Sequence, residues 1–225
     1  MVFEYKLIRS KRKTAAIYIR EGGVEVRAPL KMPKSAIDGF IAAKDGWIRD
    51  KLAKSREQTE RRAAFTLDYG DTVLYCGASY PIAAKEGHRA GFDGRSFYMP
   101  PDLTPEGIKA VCVRIYRMLA KQYLSERALY FAERMGAALG AVKISGAKTR
   151  WGSCSSQKNI NFSWRLIMAD GELIDYVVIH ELAHIFEMNH SARFWQIVQS
   201  VLPDYQERKA RLKELQYRLG GEDWE

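Results

Sequence analysis

The sequence predicts an α+β fold, β-rich in its N-terminal half and mostly helical in its C-terminal half. Two patterns support that reading. Residues 5–30 and 65–99 favour β-branched and aromatic side chains and are cut by glycines, as short strands and turns are. From residue 104 onward, apolar residues recur three and four apart in several long stretches, the spacing of amphipathic helices.

The elements follow in order. "YKLIRS", "TAAIYIR" and "GVEVRAPL" are expected strands, with Gly22-Gly23 as the turn between the last two. Residues 34–57 carry Ile37, Phe40, Ile41, Trp47, Ile48 and Leu52 near helical spacing and predict one amphipathic helix. Short strands return over 65–99. The longest helix is expected over 104–138, with Thr104 as its N-cap, Pro105 at its first position, and Gly136 and Gly140 at its end. Residues 143–169 read as β structure around an irregular loop from Gly152 to Lys158. A helix over 171–189, a second capped by Ser191 and a last one begun by Pro203 complete the chain. Two regions result: 1–102, β-rich with one helix, and 103–225, although the two could pack as one compact unit.

Composition narrows the class. With 225 residues, 47% of them hydrophobic, the chain can bury a sizeable core, and a charged share of 28% is that of a globular protein. The three cysteines, Cys76, Cys112 and Cys154, are scattered without CxxC spacing, which argues against a disulfide framework and for a reducing compartment. The opening "MVFEYKLIRSKRKTAAIYIR" has no continuous apolar stretch, and no apolar run reaches 18 residues, so a cytoplasmic protein without a membrane partner is expected. The net charge of +9 makes nucleic acid or nucleotides candidate partners. The cations lie in short runs such as "RSKRK" (9–13) and "REQTERR" (56–62), however, and a solvated basic surface is the simpler reading.

The chemistry concentrates in "HELAHIFEMNH", residues 180–190, which holds three of the four histidines. On a helix, His180 and His184 lie on one face, one turn apart, and can reach a single cation. Glu181 lies about 100° around the helix, placed to bond a water on that cation without ligating it. This is the HExxH arrangement of two imidazole ligands and a general base. Catalytic zinc takes three protein ligands and keeps one position open. His190, six residues after His184, is the third; the helix must stop before it, and Asn189 tolerates the left-handed conformation such a reversal commonly needs. An HxxxH pair alone is often only a pair of packed histidines, but here the ligands, the base and the apolar flanks Leu182, Ala183, Ile185 and Phe186 occur together.

Around this segment, Asp175 and Glu187 are the nearby carboxylates that could orient the imidazoles. Arg150, Arg165 and Tyr205 are candidate oxyanion stabilisers. Cys154 reads as a small packed thiol. Trp151, Trp164, Phe194 and Trp195 read as core rather than as a base-stacking surface.

"RWGSCS", "IDYVVIHELAH", "NHSARFW" and "LPDY" together resemble the YgjP-like metallopeptidase family, related to the SprT and WLM zinc proteases. The resemblance covers roughly residues 145–210. It implies zinc ligands at His180, His184 and His190, a catalytic Glu181, and a peptide or protein substrate. It also implies a zincin-like core whose edge strand lines the cleft, with "TRWGSCS" as that strand and its loop. Metzincins share the spacing of the third histidine but need glycine where this chain has Glu187. Two other classes stay open on the residues alone: a zinc-dependent hydrolase of nucleotide phosphoanhydrides, and a nucleic-acid-binding module with structural zinc.

Overall fold

The structure, a computed structural model, describes residues 3–20 and 22–224. The chain forms two compact units, Met1–Phe65 and Thr66–Glu225. Among the described residues, no helix is long and apolar enough to cross a membrane.

The first unit is a three-stranded sheet with two helices. Strands β1 (Tyr5–Ser10), β2 (Ala16–Arg20) and β3 (Gly23–Pro29) are ordered β1-β3-β2, with β3 parallel to β1 and antiparallel to β2. Gly22, at φ +73°, occupies the left-handed region next to β3, which glycine enters without steric cost. Alternation along β3 buries Val24, Val26 and Ala28 on one face, where Ile37, Ile41 and Ile48 pack on them. The single helix predicted over 34–57 is two: α1 (Lys34–Ala42) and α2 (Asp45–Ala64). Lys44 leaves helical geometry at φ −113°, ψ 15°. Asp45 and Gly46 follow it, both poor helix formers, so the join is the weakest point of the run.

The second unit holds two sheets and four α-helices. Strands β4 (Thr72–Tyr75), β5 (Ala78–Ala84), β6 (Gly91–Phe92) and β7 (Phe97–Met99) are ordered β4-β5-β7-β6. Helix α3 (Pro105–Met135) begins as predicted, Thr104 Oγ1 accepting from the Gly107 N–H, and ends at Gly136 with φ +64°. The expected division between residues 102 and 103 falls inside this unit, because β4 and β7 share a core with α3. Tyr116 of α3 is fully buried, its ring 5.1 Å from Phe97 and stacked 5.4 Å from Trp164, and its hydroxyl donates to the Leu74 carbonyl at 2.6 Å.

The second sheet sits beside the histidine-bearing helix. Strands β8 (Val142–Ser145), β9 (Gly152–Cys154) and β10 (Ile160–Ser163) are ordered β8-β10-β9, which leaves β9 at an edge, antiparallel to β10. The predicted loop thus begins with a short strand. The predicted strand through "WRLIM" is instead a buried 3-10 helix, Trp164–Met168. Ser163 explains the change: its hydroxyl accepts from the Arg165 N–H and donates to the Ala147 carbonyl, a local bonding pattern that competes with the ladder. Helices α4 (Gly171–Ala183), α5 (Ala192–Val201) and α6 (Tyr205–Leu219) follow.

Replacing Tyr116 by Phe keeps the aromatic packing and removes the donor to Leu74. The variant should lose about 1 kcal/mol of stability in a denaturant titration, with its slope unchanged. An unchanged midpoint would mean that the hydroxyl adds nothing to the joint between α3 and β4.

Candidate metal centre

Helix α4 is apolar on nearly every side, so it is a buried helix, and Asp170 caps it by accepting from the Leu173 N–H at 3.0 Å. Its last turn carries His180 and Glu181. The helix ends at Ala183, earlier than the predicted 189, and His184 closes it in right-handed geometry. The chain then tightens, Phe186 and Glu187 both donating to the Ala183 carbonyl. Asn189 has no positive φ, so the reversal needs no left-handed residue there; it is made of successive turns and bends from His184 to Asn189. Ser191 restarts the helical path by accepting from the Phe194 N–H.

This reversal returns His190 to the face of α4. The nitrogens of His180, His184 and His190 lie within 4.8 Å of one another. His190 Nε2 is 3.1 Å from His180 Nε2. His184 Nδ1 is 3.1 Å from the Glu187 carbonyl, which can only accept, so Nδ1 carries the proton and Nε2 presents a lone pair. Two ligand nitrogens about 2.1 Å from a tetrahedral ion stand roughly 3.4 Å apart, and the His180–His190 spacing is close to that separation. Phe194, fully buried, lies under all three rings, with centroids 4.9, 4.5 and 4.7 Å from His180, His184 and His190. Burial drives the pKa of His180 down to about 3, assisted by the neighbouring His184 and His190, and burial also lowers that of His184. Both are therefore neutral near pH 7, the state in which imidazole ligates.

Glu181 lies against β9 and shares a cleft with His180. It is 6% exposed, and burial raises its carboxyl to about 7, opposed by the Arg150 charge. Gly152 makes that position available: a methyl group there would stand 2.7 Å from Glu181 Cγ and Oε1. A cleft of about 250 Å³ opens beside it, lined by Arg150, Trp151, Gly152, Tyr176, Val177, His180, Glu181 and Leu212.

Other sequence candidates divide. Asp175 does not meet an imidazole; it forms a bidentate pair with Arg127 of α3 at 2.8 Å. Glu187 orients His184 through its backbone carbonyl, not its carboxylate. Arg165 is buried, donating to the Gly146 carbonyl with its guanidinium 4.4 Å over the Trp164 ring, whereas Arg150 lines the cleft. Tyr205 stacks on Trp195, which stacks in turn on His190, at 5.2 and 5.7 Å. Cys154 is half-buried and its thiol is pushed up by burial, as suits a packed cysteine. Trp164 and Phe194 are core, as expected, while Trp151 faces the cleft. Gly152 was the residue not singled out by sequence, because its requirement arises from a helix some 30 positions away.

A search of curated proteins finds no match. Among solved structures, the metallopeptidase zymogen of Pyrococcus abyssi abylysin is 24% identical with a TM-score of 0.37, covering 40% of this chain and 90% of its own. The metallopeptidase zymogen of Methanocaldococcus jannaschii jannalysin is 18% identical with a TM-score of 0.38, covering 41% of this chain and 96% of its own. The family described as "YgjP-like, metallopeptidase domain" matches residues 13–215, well beyond the motifs at 145–210 and into the first unit. With that extent of match, and with a helix-borne HExxH segment whose three imidazoles converge, the chain belongs to the YgjP-like metallopeptidase family.

Proposed function

We propose that the protein is a zinc-dependent peptidase in which His180, His184 and His190 hold the metal and Glu181 is the general base. The observation that carries this reading is the convergence of three imidazole nitrogens within 4.8 Å, with a buried carboxylate on the adjacent residue at the wall of a cleft. The donor set suits zinc: three imidazole nitrogens with one position left for water are the pattern of a catalytic site, whereas structural zinc is usually closed by cysteines. When bound there, zinc supplies a Lewis acid that makes water nucleophilic near neutral pH.

The chain's own residues do the rest. Glu181 accepts a proton at its carboxylate as water attacks the scissile carbonyl and returns it to the leaving nitrogen. Burial keeps that carboxylate away from bulk water and ready to take the proton. The edge strand β9 offers free backbone groups along the cleft, to which an extended peptide can add as a further strand. Trp151, Tyr176, Val177 and Leu212 supply apolar surface for its side chains. A site that used zinc only to brace the fold would gain nothing from a buried carboxylate beside the ligands.

Purified protein should carry about one zinc per chain by elemental analysis, and His180→Ala, His184→Ala and His190→Ala should each lose most of it. Full metal retention by His190→Ala would remove it from the ligand set. Glu181→Gln should keep the zinc and lose peptide hydrolysis by a factor on the order of 100 to 10,000. Undiminished hydrolysis by that variant would sink the assignment of the base. Gly152→Ala should also keep the zinc, while displacing the Glu181 carboxylate and lowering kcat on the order of 100-fold. Wild-type turnover in that variant would show that the close approach of β9 is immaterial to the chemistry.

A further inference from the structure

We propose that the first unit is a nucleic-acid-binding module, which takes a single strand on the open face and basic end of its sheet. The argument begins with charge. Residues 1–65 hold 16 of the 36 Lys and Arg but only 8 of the 27 Asp and Glu, a formal charge of +8 out of the chain's +9. Along the sequence the cations look dispersed; divided at the unit boundary, they are not. The second unit is nearly balanced, 20 cations against 19 carboxylates. Within the first unit, α2 holds six cations against four carboxylates, so most of the excess lies on the sheet and its loops.

The topology gathers that excess. Because β1 runs parallel to β3, both strands finish at the same end of the sheet, where the antiparallel β2 begins. "RSKRK" leaves β1 at that end and Lys31 follows β3 there. Arg9 joins the two loops by donating through Nη1 to the carbonyls of Pro29, Leu30 and Met32 at 2.8–3.0 Å. Lys11, Lys13 and Lys31 are exposed beside it.

The sheet face adds a second element. The core lies on the side of Val24, Val26 and Ala28, so strand alternation places Lys6, Tyr18, Arg20 and Arg27 on the opposite side. There the Tyr18 ring has the guanidinium of Arg27 at 4.9 Å and that of Arg20 at 5.7 Å. Glu25 on the same face is paired with Arg27 at 2.8 Å. An aromatic ring among guanidinium planes suits unpaired bases, which stack on both kinds of surface, while the exposed lysines suit the phosphates. A duplex keeps its bases stacked inside and would use only the charge.

The test is fluorescence anisotropy of the full chain with a labelled single strand of about 20 nucleotides, longer than one such site, titrated at several salt concentrations. Affinity should fall steeply with salt. Lys11, Lys13, Lys31 and Arg20 changed together to Gln should flatten the log–log salt slope by about 3, at roughly 0.7 for each phosphate no longer neutralised. The same number of changes in the second unit, at Arg89, Arg95, Lys143 and Lys213, should leave the slope near wild type. Tyr18→Ala should weaken single-strand binding about tenfold and Tyr18→Phe should restore it, with circular dichroism confirming that both variants fold. Three results would overturn the proposal: no binding at low salt, equal losses from both sets of charge changes, or binding that prefers anionic vesicles to nucleic acid. Metal content and peptide hydrolysis should be unmoved by the first-unit variants, which separates a failure here from a failure of the peptidase reading.

Discussion

The reversal between α4 and α5 is the constraint on which the centre depends, and Phe194 is what holds it. A helix alone aligns two imidazoles; it cannot supply the third, because six residues beyond His184 lie on another face. The chain must turn back, and a turn is held only if something buries its far side. Phe194 does so at 0% exposure, packing on His180, His184 and His190 together. Burial of one aromatic ring contributes about 2–3 kcal/mol, which offsets part of the conformational freedom the return segment loses. Burial also lowers the pKa of His180 and of His184, so both are neutral near pH 7.

The residue after His180 shows how a carboxylate survives in a dry place. Glu181 is separated from the imidazoles by one step of the helix, and it is admitted into the wall of the cleft only because residue 152 has no side chain. Arg150, two positions earlier, moderates the cost of burying the charge. Strand β9 and the residues leading into it therefore do three things with three kinds of group: a cation, an absent side chain and a free backbone edge.

Much of this was legible in the sequence, and the limits have physical causes. HExxH and the sixth-residue histidine are local, so helix geometry and ligand chemistry lead directly from spacing to the convergence seen at 180–190. Thr104, Pro105, Gly136 and Ser191 were readable as caps because capping is also local. The breaks were hidden where a local contest was close. Lys44-Asp45-Gly46 ends one helix and starts another against a continuous apolar pattern, and Ser163 converts an apparent strand into a 3-10 helix. Partners distant in sequence were beyond reach: Asp175 looked like a neighbour of the imidazoles but pairs with Arg127, 48 positions away, and Gly152 is set against Glu181. The unit boundary at 65/66 was equally unreadable, since β4 joins α3 through Tyr116 rather than through any sequence signal.

One stack near the centre has an optical consequence. Trp195 lies between the His190 ring and Tyr205, with the Lys209 ammonium 4.6 Å over its face. An indole so placed feels the electric field of whatever its imidazole neighbour holds, and it is one of five tryptophans in the chain. The protein thus carries its own fluorophore against the most exposed of its three clustered histidines, so an ion taken up by that cluster would register in its light emission without an attached label.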